Sequence, residues 1–177
     1  GSDRILRTMR RGYTAGDYKS RLERIKTASR RLALTSDIIV GFPGETEADF
    51  EETLKLVRHC EFDSLYIFKY SKRAGTPAAN LNDSVPEQVK SERFLRLEKA
   101  QRETQNRTFQ NYVGRTLSVL AERLSTRSAA DLVGHSTCHK VVNFPGEVSL
   151  EGQILNVRIT AAKTNSLYGQ RVQSVCQ

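Results

Sequence analysis

No apolar run in this chain approaches the roughly 20 residues needed to span a bilayer. Arg4, Arg7, Arg10 and Arg11 interrupt the opening segment, so it does not carry a signal-peptide pattern either. These two absences set the expectation of a cytoplasmic protein without a membrane partner. Clustered cysteines are also missing. Cys60, Cys138 and Cys176 stand at least 38 residues apart, with no CxxC and no recognisable zinc or iron–sulfur ligand set. They read as reduced thiols, and the chain is expected to hold no metal and no catalytic residue of its own. Aromatic residues are scarce after Gly114, where only Phe144 and Tyr168 occur. That scarcity argues against recognition by stacking of several bases.

Basic residues are plentiful. The net charge is +8, with 28 Lys and Arg against 20 Asp and Glu. Residues 1–31 hold ten basic residues against three acids, and residues 111–177 hold seven against four. Such a balance favours polyanionic partners. On charge alone, a solvated helical face and a phosphate-facing surface remain equal readings.

The chain has two grammars. Up to about residue 112, helix and strand patterns alternate. Thr14 can cap a helix bearing Tyr18, Leu22 and Ile25, and residues 33–41 form an apolar β-branched run that reads as a buried strand. Thr46 and Asp49 signal the start of a helix that continues through Phe50, Leu54 and Val57 to about Cys60. Residues 62–70 read as the next strand and Gly75 to Asp83 as a loop. Pro86 then opens a long helix to about Tyr112. Strands spaced by helices imply right-handed βαβ units with a parallel sheet. After Gly114 the text changes to short alternating stretches at 116–122, 141–144, 155–160 and 167–173. Gly134, Pro145–Gly146, Gly152 and Gly169 punctuate them. This pattern predicts a small closed β-barrel. The expected division is 1–112 and 113–177.

The segment carrying the most chemistry is DIIVGFPGET, residues 37–46. A buried strand delivers its carboxyl end to a Gly-Phe-Pro-Gly turn before a helix, and ligands of α/β folds bind at such ends. Gly41 and Gly44 leave room for close backbone approach. A plain strand–helix connection with a tight turn accounts for the same letters.

Four stretches taken in order resemble the radical-SAM methylthiotransferases: GSDRILRTMRRGYT, SDIIVGFPGETEADFEETL, YIFKYSKRAGTPAA, and the pair GHSTCHKVVNF with ITAAKTNSLYG. The last pair is similar to the TRAM domain of that family. The resemblance covers essentially the whole chain and is nearest to the MiaB-type enzymes. It implies an α/β fold: the C-terminal part of a partial (β/α)6 radical-SAM barrel, then an OB-like TRAM barrel. It also implies an activity, the addition of a methylthio group to carbon 2 of N6-isopentenyladenosine beside the anticodon. The cofactors would be S-adenosyl-L-methionine and two 4Fe-4S clusters.

The resemblance makes Ile39, Val40 and Gly41 contacts of the SAM adenosine. Asp37 is either a ribose ligand or a solvated strand-end acid. Phe68 and Tyr70, alternating with Lys69, either stack on adenine or fill the core, and core is the default for Phe68. In the second region Arg115, Lys140, Arg158, Lys163 and Arg171 are candidates for phosphate contacts. Asn143 and Asn165 can read base or sugar edges, and His139 can donate to phosphate or stack. Arg10 and Arg11 guide RNA, contact SAM or cap the preceding segment. The expected partner is a tRNA anticodon stem-loop.

Two departures qualify the resemblance. The superfamily's Gly-x-Ile-x-Gly-x-x-Glu pattern fits only with a shift, since Glu45 comes four residues after Gly41. The three-cysteine CxxxCxxC motif that holds the SAM-cleaving cluster is absent. The chain therefore reads as a catalytically incomplete part of an enzyme that is itself a monomer, with sheet edges open to self-association. A ribosomal-protein methylthiotransferase and a non-enzymatic RNA-binding module are the competing readings.

Overall fold

The computed structural model describes residues 1–28, 32–82, 85–126, 128 and 130–172. The chain divides into two compact units, Gly1–Thr104 and Gln105–Gln177. Among the described residues, no helix is long and apolar enough to cross a membrane.

Unit 1 contains α1 (Asp3–Thr8), α2 (Ala15–Lys26), β1 (Thr35–Val40), α3 (Glu47–Cys60), β2 (Ser64–Lys69), a 3-10 turn at Pro77–Asn80 and most of α4 (Glu87–Gln110). Both expected helix starts form complete capping boxes, Thr14 with Asp17 and Thr46 with Asp49. In each, the threonine hydroxyl accepts the third helical amide while the aspartate accepts the cap's own amide, so two otherwise unpaired donors are satisfied together. β1 and β2 pair in parallel, with Asp37 opposite Tyr66 and Ile39 opposite Phe68. Leu22, Val40, Phe50, Leu54, Val57, Phe62 and Leu97 form the apolar core beside this sheet, and Ile38, Leu65 and Ile67 pack against it. The alternate positions Asp37, Ile39, Tyr66 and Phe68 are exposed, because successive strand residues point to opposite faces.

Unit 2 is a closed barrel in the order β3-β4-β5-β7-β6. Its strands are β3 (Thr116–Leu124), β4 (Asp131–Ser136), β5 (Val141–Pro145), β6 (Ile154–Ala162) and β7 (Leu167–Arg171), with a 3-10 turn at Val148–Leu150. All neighbours are antiparallel except β5 and β7. Val119, Leu132, Val142, Phe144, Val157 and Leu167 fill the interior and are fully buried. This is the partial α/β region and the small barrel that the sequence implied. Three details differ. α1 and β4 are additional elements. Gly134 and Gly169 are not turns but lie within strands. A Cβ at Gly134 would stand 1.9 Å from the Leu120 carbonyl oxygen, so glycine there permits a close strand approach. The sequence reading of a strand to residue 173 and a loop to Asp83 ends, in each case, outside the described residues, as does Cys176.

Candidate cofactor and nucleic-acid sites

In unit 1 the end of β1 turns through Gly41 (φ +70°) and Gly44 (φ +79°), a left-handed backbone that glycine adopts without penalty. The Gly41 amide donates to Glu45 Oε2 at 2.7 Å, and Arg93 of α4 donates to the same oxygen at 2.8 Å. Both charged side chains are at least 95% covered. Burial pushes the Glu45 carboxyl up, against the opposing pull of the Gly41 amide and the Arg93 guanidinium. Close approach at Gly41 is to Lys90, whose Cγ would lie 2.3 Å from an added Cβ. Gly41 is thus engaged in a latch between the turn and α4. Val40 is wholly buried and its carbonyl accepts from Tyr70.

The remaining expected cofactor contacts separate. Asp37 and Ile39 line a cleft of about 120 Å³ together with Ile5, Met9, Arg11 and Tyr13. Ile39 also lines a second cleft of about 360 Å³ with Arg10, Arg11, Phe42 and Pro77. Phe68 is 51% exposed beside Ile39, so it is not core. Tyr70 lies beyond the end of β2. Its hydroxyl donates to the Ala78 carbonyl, and its ring meets Phe42 edge-on at 5.3 Å. Arg10 (φ +58°) and Arg11 end α1: their amides donate to Arg7 and Leu6 carbonyls in the six-to-one and five-to-two pattern that closes a helix. The capping alternative is therefore met by backbone, and both side chains stay exposed.

A second polar centre in unit 1 carried no signal beyond its cap. Asp49 accepts from Ser2 Oγ at 2.6 Å and from the Thr46 amide and hydroxyl, and it pairs with Arg4. Burial opposes its charge, but the bonds from Arg4, Ser2 and Thr46 outweigh that and hold the carboxyl well below the usual range.

In unit 2 the expected RNA residues fall into distinct places. Arg115 and Arg158 are exposed on the β3–β6 side, where Thr116 opposes Arg158 and Ser118 opposes Asn156. Leu120 and Ile154, opposite each other in the same ladder, are 41% and 74% exposed. Arg171 is exposed at the end of β7. His139 (φ +57°) stacks on His135 with ring centroids 4.8 Å apart, and His135 Nδ1 meets Glu122 at 2.8 Å. Asn143 is half-buried on β5, while Lys163 and Asn165 are exposed between β6 and β7. Lys140 corrects the sequence reading of an accessible cation. It is 4% exposed and its ammonium lies 5.6 Å from the Phe109 ring centroid, a position that serves the barrel's packing.

Comparison with known proteins joins these two units. Residues 1–57 match the Radical SAM superfamily and residues 110–172 match the TRAM domain. A protein of Nitrosospira multiformis named tRNA-2-methylthio-N(6)-dimethylallyladenosine synthase is 47% identical over 98% of this chain. Proteins of the same name from Acetivibrio thermocellus and Geobacillus kaustophilus are 46% and 47% identical over 98% and 100% of it. The chain spans only 33–37% of the length of these three relatives. The chain thus carries part of a Radical SAM superfamily region followed by a TRAM domain, and over nearly its whole length it is similar to about a third of proteins named tRNA-2-methylthio-N(6)-dimethylallyladenosine synthase.

Proposed function

We propose that the chain forms part of a cytoplasmic tRNA methylthiotransferase that adds a methylthio group to carbon 2 of N6-isopentenyladenosine beside the anticodon, with unit 2 binding the anticodon stem-loop. The observation that carries this reading is the β3–β6 side of the barrel. Arg115 and Arg158 supply charge there, Ser118 and Asn156 supply hydrogen-bonding groups, and Leu120 and Ile154 supply exposed apolar surface. Cations attract the phosphates, and the polar and apolar groups add contacts that a purely charged face lacks. The names of the relatives, all tRNA-modifying synthases, support the same reading.

Unit 1 fits one portion of S-adenosyl-L-methionine. Ile39 and Phe68 are exposed register partners that offer an apolar surface to adenine, and Asp37 on the same face offers a carboxylate to ribose hydroxyls. In the working enzyme this cofactor, with two 4Fe-4S clusters, supplies radical chemistry. No CxxxCxxC occurs in this sequence, so the cluster ligands would come from outside it. The role of this chain's own residues is to hold the adenosyl end and to bind RNA. The working enzyme is a monomer in this reading.

The test is binding of an anticodon stem-loop RNA to the chain at increasing salt. Each phosphate contact contributes about −0.7 to −0.9 to the slope of log K against log salt, so three or four contacts give roughly −2 to −4. Arg115→Ala and Arg158→Ala should each remove about one contact's worth of slope. A flat salt dependence, or one indifferent to both substitutions, would remove the support for an RNA-binding barrel.

A further inference from the structure

A different part of unit 2 has chemistry that a phosphate-binding face does not need. Asn106, Asp131, Asn143, Lys163, Ser166 and Tyr168 line a cleft of about 710 Å³. That lies within the ~300–1,000 Å³ usual for small-molecule sites. The parallel β5–β7 pairing sets Asn143 opposite Tyr168. The Tyr168 hydroxyl donates to Asp131 Oδ1 at 3.2 Å and so fixes the carboxylate at the start of β4. Partial burial and this bond push the Tyr168 phenol up. The Lys163 amide donates to the Ser166 carbonyl at 2.8 Å, closing the turn that carries the lysine. Among the described residues, nothing pairs with the Asn143 amide group, the Lys163 ammonium or Asp131 Oδ2.

The charges decide the class of ligand. One carboxylate and one ammonium nearly cancel, so the cleft does not suit a run of phosphates. A single phosphate at Lys163, a sugar hydroxyl donating to Asp131 and a base edge meeting both halves of the Asn143 amide would use each group once. Resting on the RNA reading above, we infer that this cleft is a ribonucleotide subsite: it takes one unpaired nucleotide of the bound RNA, and Asp131 reads its 2′-hydroxyl. That hydroxyl is the group by which a protein separates RNA from DNA at a given position. The β3–β6 face then provides affinity through charge, and the cleft provides discrimination.

The experiment compares a single-stranded RNA of anticodon-loop sequence with the DNA of the same sequence, by fluorescence anisotropy on the whole chain. Loss of one hydrogen bond to a charged group predicts RNA bound about tenfold more tightly than DNA. Asp131→Asn should lower that ratio several-fold, because a neutral amide bonds the 2′-hydroxyl less strongly than a carboxylate, while the removed charge acts on RNA and DNA alike and cancels from the ratio. Asn143→Ala removes a side chain bonded to nothing else in the described protein, so the fold should survive it. It should weaken RNA and DNA equally. Equal wild-type affinities for RNA and DNA, a preference that Asp131→Asn does not lower, or binding that Asn143→Ala does not weaken overturns the subsite, while salt-dependent binding leaves the RNA reading standing. Absence of binding to either strand at low salt sinks both.

Discussion

The two units solve the same problem, burying a small sheet, by opposite means. Unit 2 closes its strands on themselves and fills the interior with Val119, Leu132, Val142, Phe144, Val157 and Leu167. Closure leaves no unpaired strand edge. Unit 1 has two paired strands, apolar packing on one face, and exposed Ile39, Tyr66 and Phe68 on the other. It also brings more charge inside: Glu45, Asp49, Lys90 and Arg93 are all buried, against Lys140 in unit 2. An apolar core is held by contacts that no single partner controls. A buried charge is held only while its counter-charge stays in place. The contrast teaches where each unit is vulnerable. It also separates scaffold from candidate function, since the exposed strand face of unit 1 and the polar outer surface of unit 2 are what remain for ligands.

The largest effects should come from one substitution in each unit, read by chemical denaturation with amide hydrogen exchange to locate the loss. Phe144→Ala leaves a void in the barrel and should cost about 3–5 kcal/mol. Arg93→Met strands the Glu45 carboxylate in the interior and should cost a similar 3–5 kcal/mol or so. What distinguishes the two is rescue. Adding Glu45→Gln to Arg93→Met removes the stranded charge and keeps an acceptor for the Gly41 amide, so more than half the loss should return. No such second substitution relieves a cavity at Phe144. Should the double variant be no better than Arg93→Met alone, the latch is a packing feature and the contrast between units collapses.

Local chemistry was legible in the sequence. Thr14–Asp17 and Thr46–Asp49 lie three residues apart, and a capping box needs nothing further away. The change from helical period to alternation also marked the barrel. β4 carries no alternating signal because Leu132, Val133 and Gly134 are buried in succession, which breaks the two-residue alternation of a half-exposed strand. The Glu45–Arg93 pair spans 48 residues, and no local pattern announces it. Lys140 reads as a surface cation from its neighbours His139 and Asn143. Only the fold shows that the left-handed turn at His139 accompanies a lysine side chain packed over Phe109. Likewise, Phe68 looks like core in a β-branched, aromatic strand. The face on which it lies is set by its pairing with Ile39, and there its side chain is left half exposed.

The comparison sharpens further with pH, through Asp49. Its carboxylate is 8% exposed and accepts from Ser2, Thr46 and Arg4, which together keep its folded pKa well below the unfolded value of about 3.9. A depressed carboxyl stabilises the fold fully above the unfolded value, and that contribution is lost as pH falls towards the folded value. Wild-type stability should therefore decline below about pH 4, and Asp49→Asn should decline less. At neutral pH the variant should be less stable by about 2 kcal/mol, the scale of a lost charged hydrogen bond. That deficit should shrink as the solution is acidified, because the wild-type carboxylate is itself being neutralised. The Phe144→Ala deficit involves no titrating group and should be equal at pH 7 and pH 3, so the two curves ought to run parallel. Urea titrations of the three proteins across that range provide the measurement. A constant Asp49→Asn deficit would mean that the charge on Asp49 contributes nothing and that the hydrogen bonds of the helix cap alone account for its place in unit 1.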